Sequence, residues 1–466
     1  MTVSQSLAGF AARLRLEDVP AAVSERARYL ALDALGVALA SSRSDFAGVA
    51  LAGLQSMGER GESPVIGMGA RLPLRDAILM NGLLVHGLDY DDTYLPGSIH
   101  LCATAVPAAL GLAAHRRRSG REALAALVIG LEAGARISQA GHGHIHEAGF
   151  HPTSVCGAFS SALVAGRLLG LDGDQLVLAQ GIALAVASGT VQPMQDGTWT
   201  KRFHPGWAAA GGVVSAHLAQ AGYTGPAVAY EGRYGFYNVF LGAQRGQAQP
   251  SLAAEQLGER WEFPKASIKL YPACHHIHAF VNAARRIRAQ FGGPVRAQDV
   301  ESIRARVAAV AVPLVCEPAE EKFAPASSYI AQFSLQFAIA CALVRGGFGL
   351  GELAAQVRTD ETLVALARKV ACEVDPDAGF PGSRTGEVVV RLRDGRELRV
   401  RDEILPEAPA SDEEIVAKFM ENARQAVPAS RARELADRVI GMDRQEDASA
   451  LMLALGRPGD DAGAGA

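Results

Sequence analysis

The first 260 residues contain long apolar runs that are rich in alanine and glycine and repeat with helical periodicity. Residues 21–42, 121–141 and 157–171 are three such runs. Because small side chains allow helices to pack closely, runs of this kind predict helices that are buried on all sides. The sequence therefore predicts a large, multi-layered helical domain in this part of the chain.

The pattern changes near residue 265. A short β-like stretch begins at residue 267, and a helix is predicted to follow it through about residue 291. Residues 300–312 alternate between apolar and polar side chains, as a half-buried strand does. Residues 386–400 form two alternating runs joined by an Asp-Gly pair, which is a favoured turn of a β-hairpin. These features predict a second, smaller α/β domain.

Another helix is predicted from Ser411 onward, because this serine is followed by acidic residues in the first turn. We expect that helix to pack back on the first domain. The predicted large helical domain therefore comprises residues 1–265 and 405–455, and the smaller α/β domain comprises residues 266–404. Residues 456–466 are predicted to be a disordered tail. The predicted fold class is mainly α with an α+β second domain.

The charge balance and the cysteines exclude several classes of protein. The chain carries 45 basic and 49 acidic residues, so it has no basic excess, and we expect no nucleic-acid partner. The apolar runs are too short to cross a bilayer and the N-terminus lacks a signal-peptide pattern, so we expect a cytoplasmic protein with no membrane contact. None of the six cysteines forms a CxxC pair, which argues against a zinc ribbon or an iron–sulfur cluster.

One short stretch, HGLDYDDTYLPGSIH, concentrates titratable groups between two predicted helices. Its three aspartates are Asp89, Asp91 and Asp92. Aspartate favours turns and helix N-caps, so a single one would need no functional explanation. Three aspartates together with Thr93 and His100 favour a functional site. His100 falls at the start of the second helix, where backbone N–H groups attract an anion.

Residues 141–162 contain four histidines. Three of them form an HxHxH pattern, which is a weak signal for a metal site without a carboxylate at helical spacing: His142, His144 and His146. We interpret these three as loop residues. His151 differs, because it directly precedes a Pro-Thr-Ser sequence and a small-residue helix, so that it lies at a predicted helix N-terminus.

Two more segments contain cations. In residues 194–212 three adjacent cations, Lys201, Arg202 and His204, alternate with large apolar side chains that predict a partly buried pocket: Trp199, Phe203 and Trp207. In residues 267–280, Lys269 lies at the predicted domain boundary and is followed by His275, His276 and His278.

The sequence contains no P-loop, no GxGxxG after a strand and no GxSxG, so no cofactor motif is present. Cations near helix N-termini suit a substrate with several carboxylates. Histidines beside them suit removal of a proton next to a carboxylate by general acid–base catalysis. The residues alone therefore predict an anionic substrate and proton transfer.

Taken together, these segments resemble the MmgE/PrpD family over residues 5 to 455. The resemblance rests on HGLDYDDT, FHPTSVCGAF, DGTWTKRFHPGWAAAGG, YEGRYGF and IKLYPACHHIHAFVNAA. It implies a large all-helical domain with a smaller α/β lid domain. It also implies a homodimeric enzyme that acts on small di- or tricarboxylates without a metal or an organic cofactor.

The resemblance also implies roles for individual residues. His100 or His151 would be the acid or base at the reacting carbon, Lys201 would bind a carboxylate and stabilise negative charge, and Asp89 would orient a histidine or lysine. The residues expected to bind substrate are Thr93, Lys269, His275 and Arg202.

Two departures from the decarboxylase members of the family affect the expected reaction. A histidine is expected to follow the Lys-x-[Tyr/Phe]-Pro element closely, but Cys274 comes first here and His275 follows one place later. A tyrosine is expected before a later Arg-Pro or Glu-Pro step, and Leu314 corresponds to it here, with Tyr329 too far along the chain to substitute. These departures favour dehydration or epimerisation over decarboxylation of cis-aconitate.

The first expectation is therefore a hydro-lyase most like 2-methylcitrate dehydratase, an enzyme of propionate catabolism. An epimerase or isomerase and a decarboxylase of the same family are the nearest alternatives. A metal-dependent hydrolase could instead use Asp91, Asp92 and the histidines of residues 142–146. A helical carboxylate-binding protein without activity is the last alternative.

Overall fold

The computed structural model describes residues 1–58, 60–379, 383–405 and 410–457. The chain divides into two compact units. The first unit comprises Met1–Ile268 together with the chain from Ala410 onward, and the second comprises Lys269–Pro409.

The first unit is almost entirely helical. A two-residue antiparallel ladder, β1 (Ser63–Pro64) and β2 (Arg71–Leu72), is its only sheet within the described residues. The N-terminal part of the unit contains twelve of the described helices: α1 Val3–Arg13, α2 Ala21–Ser41, α3 Asp45–Gln55, α4 Leu74–Val85, α5 Cys102–His115, α6 Gly120–Gln139, α7 His144–Glu147, α8 Pro152–Leu169, α9 Gly173–Ala183, α10 Gln192–Asp196, α11 Thr200–Gln220 and α12 Phe236–Phe240.

Small residues bring the central helices α4, α8 and α11 into close contact. A Cβ atom added at Gly82 of α4 would lie 2.6 Å from the Cα atom of Gly206 in α11. A Cβ atom added at Gly212 would lie 2.6 Å from the carbonyl oxygen of Ala158 in α8. Such distances are too short for any side chain, so these positions require glycine. The alanine- and glycine-rich runs therefore form the tightly packed, buried helices that the sequence predicts.

The second unit contains the main sheet. Its strands are β3 Val300–Val307, β4 Val370–Val374, β5 Arg384–Leu392 and β6 Glu397–Ile404, in the order β4-β3-β5-β6. β3 and β4 are parallel, whereas β3–β5 and β5–β6 are antiparallel. The helices of this unit are α13 His275–Phe291, α14 Val312–Val315, α15 Ala319–Phe323, α16 Ser328–Gln332, α17 Leu335–Arg345, α18 Ala355–Arg358 and α19 Glu361–Ala367.

The chain then returns to the first unit through three helices: α20 Asp412–Ala423, α21 Ala429–Ile440 and α22 Ser449–Gly456. Ser411 caps α20, since its side chain accepts a hydrogen bond from the backbone N–H of Glu414. α20 packs against α2, as the sequence analysis expects for a helix that joins the first domain.

The fold class predicted from the sequence, mainly α with an α+β second domain, is confirmed. Two local predictions are correct only in part. The β-like stretch at residue 267 forms a single bridge between Ser267 and Thr93, and the strand predicted over residues 300–312 ends at Val307, where a 3₁₀ turn and α14 follow. Residues 458–466, most of the predicted disordered tail, lie outside the described residues. None of the described helices has the length and hydropathy needed to cross a membrane.

Candidate active site

The loop between α4 and α5 carries the acidic stretch and is held in place at several points. Thr93 and Ser267 exchange two backbone hydrogen bonds of 2.8 and 2.9 Å. Tyr94 and Ile99 form a second bridge, with the N–H of Tyr94 donating to the carbonyl oxygen of Ile99 at 2.7 Å. From α20, the Lys418 ammonium lies 3.9 Å from the centre of the Tyr90 ring and donates to the Tyr90 carbonyl oxygen at 2.7 Å. The loop is therefore tightly anchored.

Asp92 caps α5. Its carboxylate accepts hydrogen bonds from the backbone N–H groups of Leu101 and Cys102, both at 3.0 Å. The sequence analysis expects the N–H groups of this helix N-terminus to attract an anion, and the anion that they hold is the carboxylate of the chain itself. Burial and the neighbouring Asp91 raise the pKa of Asp92. Asp92 therefore has a structural role.

Asp91 pairs with His86, a residue to which the sequence analysis assigns no role. The Nδ1 atom of His86 lies 2.9 and 3.1 Å from the two carboxylate oxygens of Asp91, and both side chains are fully buried. Burial lowers the pKa of His86 to about 4, although Asp91 opposes the shift. Burial also opposes ionisation of Asp91, but His86 and His100 outweigh it and hold the pKa of Asp91 well below its usual range. His86 is thus neutral at pH 7, with its proton on Nδ1.

The other ring nitrogen of His86, Nε2, is buried and has no hydrogen-bond partner in the described part of the chain. A buried polar atom without a partner is costly and rare in native proteins. It is the kind of atom that a ligand can satisfy. The sequence signal for this residue is the spacing His86–Asp91, in which a histidine at the end of one helix is followed five positions later by a carboxylate.

His100 has a fixed tautomer. Its Nδ1 atom lies 2.8 Å from the carbonyl oxygen of Asp92 and 3.4 Å from Asp91 Oδ1. A carbonyl oxygen can only accept, so Nδ1 carries the proton, and in the neutral ring Nε2 keeps its lone pair. His100 Nε2 lies 3.8 Å from Asp89 Oδ1, and the other oxygen of Asp89 accepts a 2.8 Å hydrogen bond from Lys201 Nζ. A base therefore lies beside a lysine–carboxylate pair.

His151 is the N-cap residue of α8, as the sequence predicts. Its Nδ1 atom lies 3.3 Å from Nδ1 of His204, so one ring donates and the other accepts. Burial is the main cause that holds the pKa of His151 well below its ordinary value, and burial with Lys201 lowers the pKa of His204 to about 4. His204, interpreted from the sequence as one of three adjacent cations, is instead a buried neutral ring.

The four buried rings form one cluster. The centroid distances are 4.6 Å for His86–His100, 5.5 Å for His86–His151 and 5.4 Å for His151–His204. One ring nitrogen from each of His86, His100 and His151 lies within 4.8 Å of the corresponding atoms of the other two. One ring nitrogen of His86, one of His100 and one carboxylate oxygen of each of Asp89 and Asp91 likewise lie within 4.8 Å of one another. Both sets of donors could hold a metal ion.

Thr93 and Arg202 border this cluster. The side-chain oxygen of Thr93 is buried and has no partner among the residues that the structure describes, so it is available to a ligand. Arg202 donates from Nε to the carbonyl oxygen of Gly87, and its guanidinium lies 4.6 Å from the centre of the Phe46 ring. These contacts brace the loop, and the assignment of Arg202 to substrate binding stays a prediction.

Lys269 and His275 belong to the second unit. Lys269 is its first residue and is buried, and His275 is the first residue of α13 and is also buried. Their assignment to substrate binding likewise stays a prediction. The predicted residues that the structure brings together in the first unit are Asp89, Thr93, His100, His151 and Lys201.

The aromatic pocket predicted around Lys201 is not formed as expected. Trp199, Phe203 and Trp207 are 50%, 38% and 40% exposed, so they point away from the buried cluster. The polar residues Lys201 and His204 face inward instead. The alternation of cations and aromatics along α11 therefore reflects two faces of a helix, with the apolar residues on the outer one.

The metal site predicted for a hydrolase is also not formed. His142 and His146 are exposed, and His144 Nδ1 lies 2.6 Å from Oε2 of Glu147. Within the described ranges, no set of three potential ligands joins these histidines to Asp91 or Asp92. The metal-capable groups that exist here consist of other residues.

Comparison with known proteins agrees with this organisation. The model of the MmgE/PrpD N-terminal domain matches residues 5–249, and that of the MmgE/PrpD C-terminal domain matches residues 271–442. A cis-aconitate decarboxylase of Aspergillus terreus is 28% identical over 98% of this chain and 96% of its own. The cis-aconitate decarboxylase of Homo sapiens is 26% identical over 98% of this chain and 95% of its own. The cis-aconitate decarboxylase-like protein oryM of Aspergillus oryzae is 25% identical over 97% of this chain and 96% of its own. The chain belongs to the MmgE/PrpD family.

Proposed function

We propose that this protein is a lyase that acts on a small tricarboxylate by proton transfer at a carbon next to a carboxylate, without a metal or an organic cofactor. The observation that carries the proposal is the fixed tautomer of His100, whose Nε2 lone pair faces the Asp89–Lys201 pair. An acid–base group and a cation thus lie side by side in a buried site.

Decarboxylation of a cis-aconitate-type acid is the first reaction that we assign. Loss of CO2 leaves an electron pair on carbon, which a neighbouring carboxylate can delocalise, and a proton must then be delivered to carbon. A protonated His100 can deliver that proton from Nε2 and recover it from solvent for the next turnover. The curated relatives, which span nearly the whole chain, are named for this reaction.

Lys201 supplies the positive charge that this carbanion needs. Its side chain is 11% exposed, and its ammonium group is held by Asp89 at 2.8 Å. In a site that excludes water, a cation stabilises developing negative charge far more strongly than it would in solution. Asp89 positions the lysine, and Thr93 Oγ1 can donate its proton to a substrate carboxylate.

Dehydration of a 2-methylcitrate-type acid is the second candidate. It also develops negative charge on a carbon next to a carboxylate, but this reaction begins when the base removes a proton from that carbon. One observation favours it: Leu314 stands where, by the family resemblance, the decarboxylases carry a tyrosine, and it is 49% exposed. An epimerase would share the first proton abstraction and lose no group. The homodimer and the cytoplasmic location also stay predictions.

The test is a panel of cis-aconitate, 2-methylcitrate and citrate in deuterated water, followed by NMR and by CO2 detection, with and without chelator. We expect CO2 from cis-aconitate in equal amount to an alkene product that carries one new deuteron. Water loss from 2-methylcitrate without CO2 would replace the first reaction by the second. Deuterium exchange without loss of any group would favour an epimerase.

A pair of variants ties the result to the site. In His100→Asn the side-chain amide can still donate to the Asp92 carbonyl oxygen, but the Nε2 base is absent. His142→Asn makes the same change at an exposed histidine. Activity that His100→Asn leaves intact, or no turnover of any acid by the unmodified protein, would contradict the proposal.

A further inference from the structure

We propose that His86, His100 and His151 form a binding site for a divalent transition-metal ion of the zinc type, and that this ion inhibits the enzyme. The inhibitory part rests on the proposed function, because it assigns His100 Nε2 as the acid–base atom. The binding part rests on the geometry of the three rings alone.

The orientation of the three rings is the first argument. In each ring Nδ1 is engaged by a neighbour: Asp91 holds His86, the carbonyl oxygen of Asp92 holds His100, and His204 contacts His151. The opposite nitrogen, Nε2, is therefore the ligand atom in His86 and His100, and it is the ligand atom in His151 when that ring donates its Nδ1 proton to His204. Metal-binding histidines almost always donate their other ring N–H to a carboxylate, a backbone carbonyl group or water, and His86 and His100 have partners of this kind.

The convergence of the nitrogens is the second argument. One ring nitrogen of each residue lies within 4.8 Å of the other two. Tetrahedral zinc with bonds of about 2.0–2.1 Å holds its ligand nitrogens about 3.4 Å apart. Rotations that move each nitrogen by about an ångström or less would close the remaining gap. Three histidines with a fourth, open position form a common zinc ligand set.

The buried and unpartnered Nε2 atom of His86 is the third argument, since it points to a ligand independently of the cluster. The buried carboxylate of Asp91 supplies negative charge beside the site, whereas the charge of Asp89 is balanced by Lys201. Imidazole nitrogen selects zinc-type ions over magnesium or calcium, which prefer oxygen ligands.

The alternative ligand set of His86, His100, Asp89 and Asp91 fits less well. In that set a metal ion would compete with the Lys201 ammonium group, which lies 2.8 Å from the Asp89 carboxylate. It would also compete with His86 for the carboxylate of Asp91. The three-histidine set requires neither exchange, so we assign the ion to it.

Inhibition follows from the shared atom. A metal ion bonded to His100 Nε2 occupies the lone pair that would otherwise carry the reacting proton. Added zinc should therefore slow turnover, and a chelator should restore or raise activity. The opposite response, loss of activity with chelator, would identify the ion as required for catalysis and overturn the inhibitory assignment.

The experiment titrates the chelator-treated full-length protein with Zn²⁺ by calorimetry and with Co²⁺ by visible absorption. We expect one ion per chain and a tetrahedral cobalt spectrum, with Mg²⁺ giving no signal. His86→Asn, which can keep the hydrogen bond to Asp91 but lacks Nε2, should weaken Zn²⁺ binding at least tenfold. His151→Asn should do the same, whereas His142→Asn should bind as the unmodified protein does.

The possible outcomes separate the two proposals. Zinc binding that is unchanged in both His86→Asn and His151→Asn, with circular dichroism showing that they are folded, would overturn the site. Failure to bind Zn²⁺ or Co²⁺ at all would do so as well. A cobalt spectrum that depends on His86, in a protein that turns over none of the acids, would keep the metal site and reject the proposed lyase.

Discussion

Two segments of the first unit are rich in titratable residues but differ in burial and in their hydrogen-bond partners. Residues 86–100 contain two histidines and three aspartates, and residues 142–147 contain three histidines and one glutamate. The second includes α7, so His144 and His146 lie in a short helix and not in a loop as the sequence analysis interprets them. In the first segment the rings are buried and each has a defined partner. In the second, His142 and His146 are exposed, and the Nδ1 atom of His144 lies 2.6 Å from the exposed carboxylate of Glu147. Burial and fixed partners, rather than the number of histidines, distinguish a site from a surface.

The largest expected effect concerns His100. Replacement by asparagine should lower kcat by about 10²–10⁴-fold, the usual contribution of a general acid–base group. His142→Asn should leave kcat unchanged, because that side chain is exposed. Steady-state kinetics on the substrate identified by the panel would measure both. Equal losses in the two variants would remove the distinction between the segments.

Lys201 provides the next test. In Lys201→Met the carboxylate of Asp89 loses its 2.8 Å partner and the site loses its cation, so kcat/KM should fall by about 10²–10³-fold, as for loss of one group that stabilises developing charge. The matched control is Lys265→Met, which removes a 2.8 Å contact to Glu262 from a half-exposed lysine. That variant should keep its activity. A KM effect alone in Lys201→Met would assign Lys201 to substrate binding only.

The pH dependence of the free energy of unfolding should distinguish the buried histidines from exposed ones. Because burial lowers the folded-state pKa of His86 and His204 to about 4, the unfolded chain binds more protons between about pH 6.5 and pH 4. The free energy of unfolding should therefore be highest above pH 6.5 and fall toward pH 4, by about 3 kcal/mol for each such histidine. Urea unfolding at several pH values would measure this. A His86→Asn variant with the same slope as the unmodified protein would contradict the assignment.

The smallest effects concern the carboxylate partners. Asp91→Asn should lower the free energy of unfolding by about 1–3 kcal/mol, because it weakens a hydrogen bond to a charged acceptor that is fully buried. Glu147→Gln should change it by less than about 0.5 kcal/mol, since Glu147 is 61% exposed. Equal changes in the two variants would show that burial of the first pair adds nothing to its strength.

Periodicity predicted most of the helices well, because helix existence depends on local spacing. The small-residue runs form α2, α6 and α8, and the Asp-Gly pair lies in the turn between β5 and β6. The position of His151 just before α8 was predictable, because the proline and the small polar residues that follow it are typical of a helix start. These features require only a few neighbouring residues, so the sequence shows them directly.

The site was predicted less completely, because its chemistry depends on contacts distant in sequence. The 3.3 Å contact of His151 with His204 joins two helices, and nothing local to either residue signals it. Lys418 supports the loop from more than 300 residues away in sequence. The outward direction of Trp199 and Phe203 depends on which face of α11 packs against α4 and α8, which the alternation alone does not determine.

The bridge between Tyr94 and Ile99 has a consequence for changes in chain length. It closes a small turn whose tip, Leu95–Gly97, is followed by Ser98 in a left-handed conformation. Thr93 is fixed before this turn, and His100 is fixed after it by Asp92. Gly97 at the tip is buried against Ser138 of α6, so a residue gained or lost there would break this packing and strain the bridge that separates the two functional side chains. The length of this turn therefore helps to set the distance between Thr93 and His100.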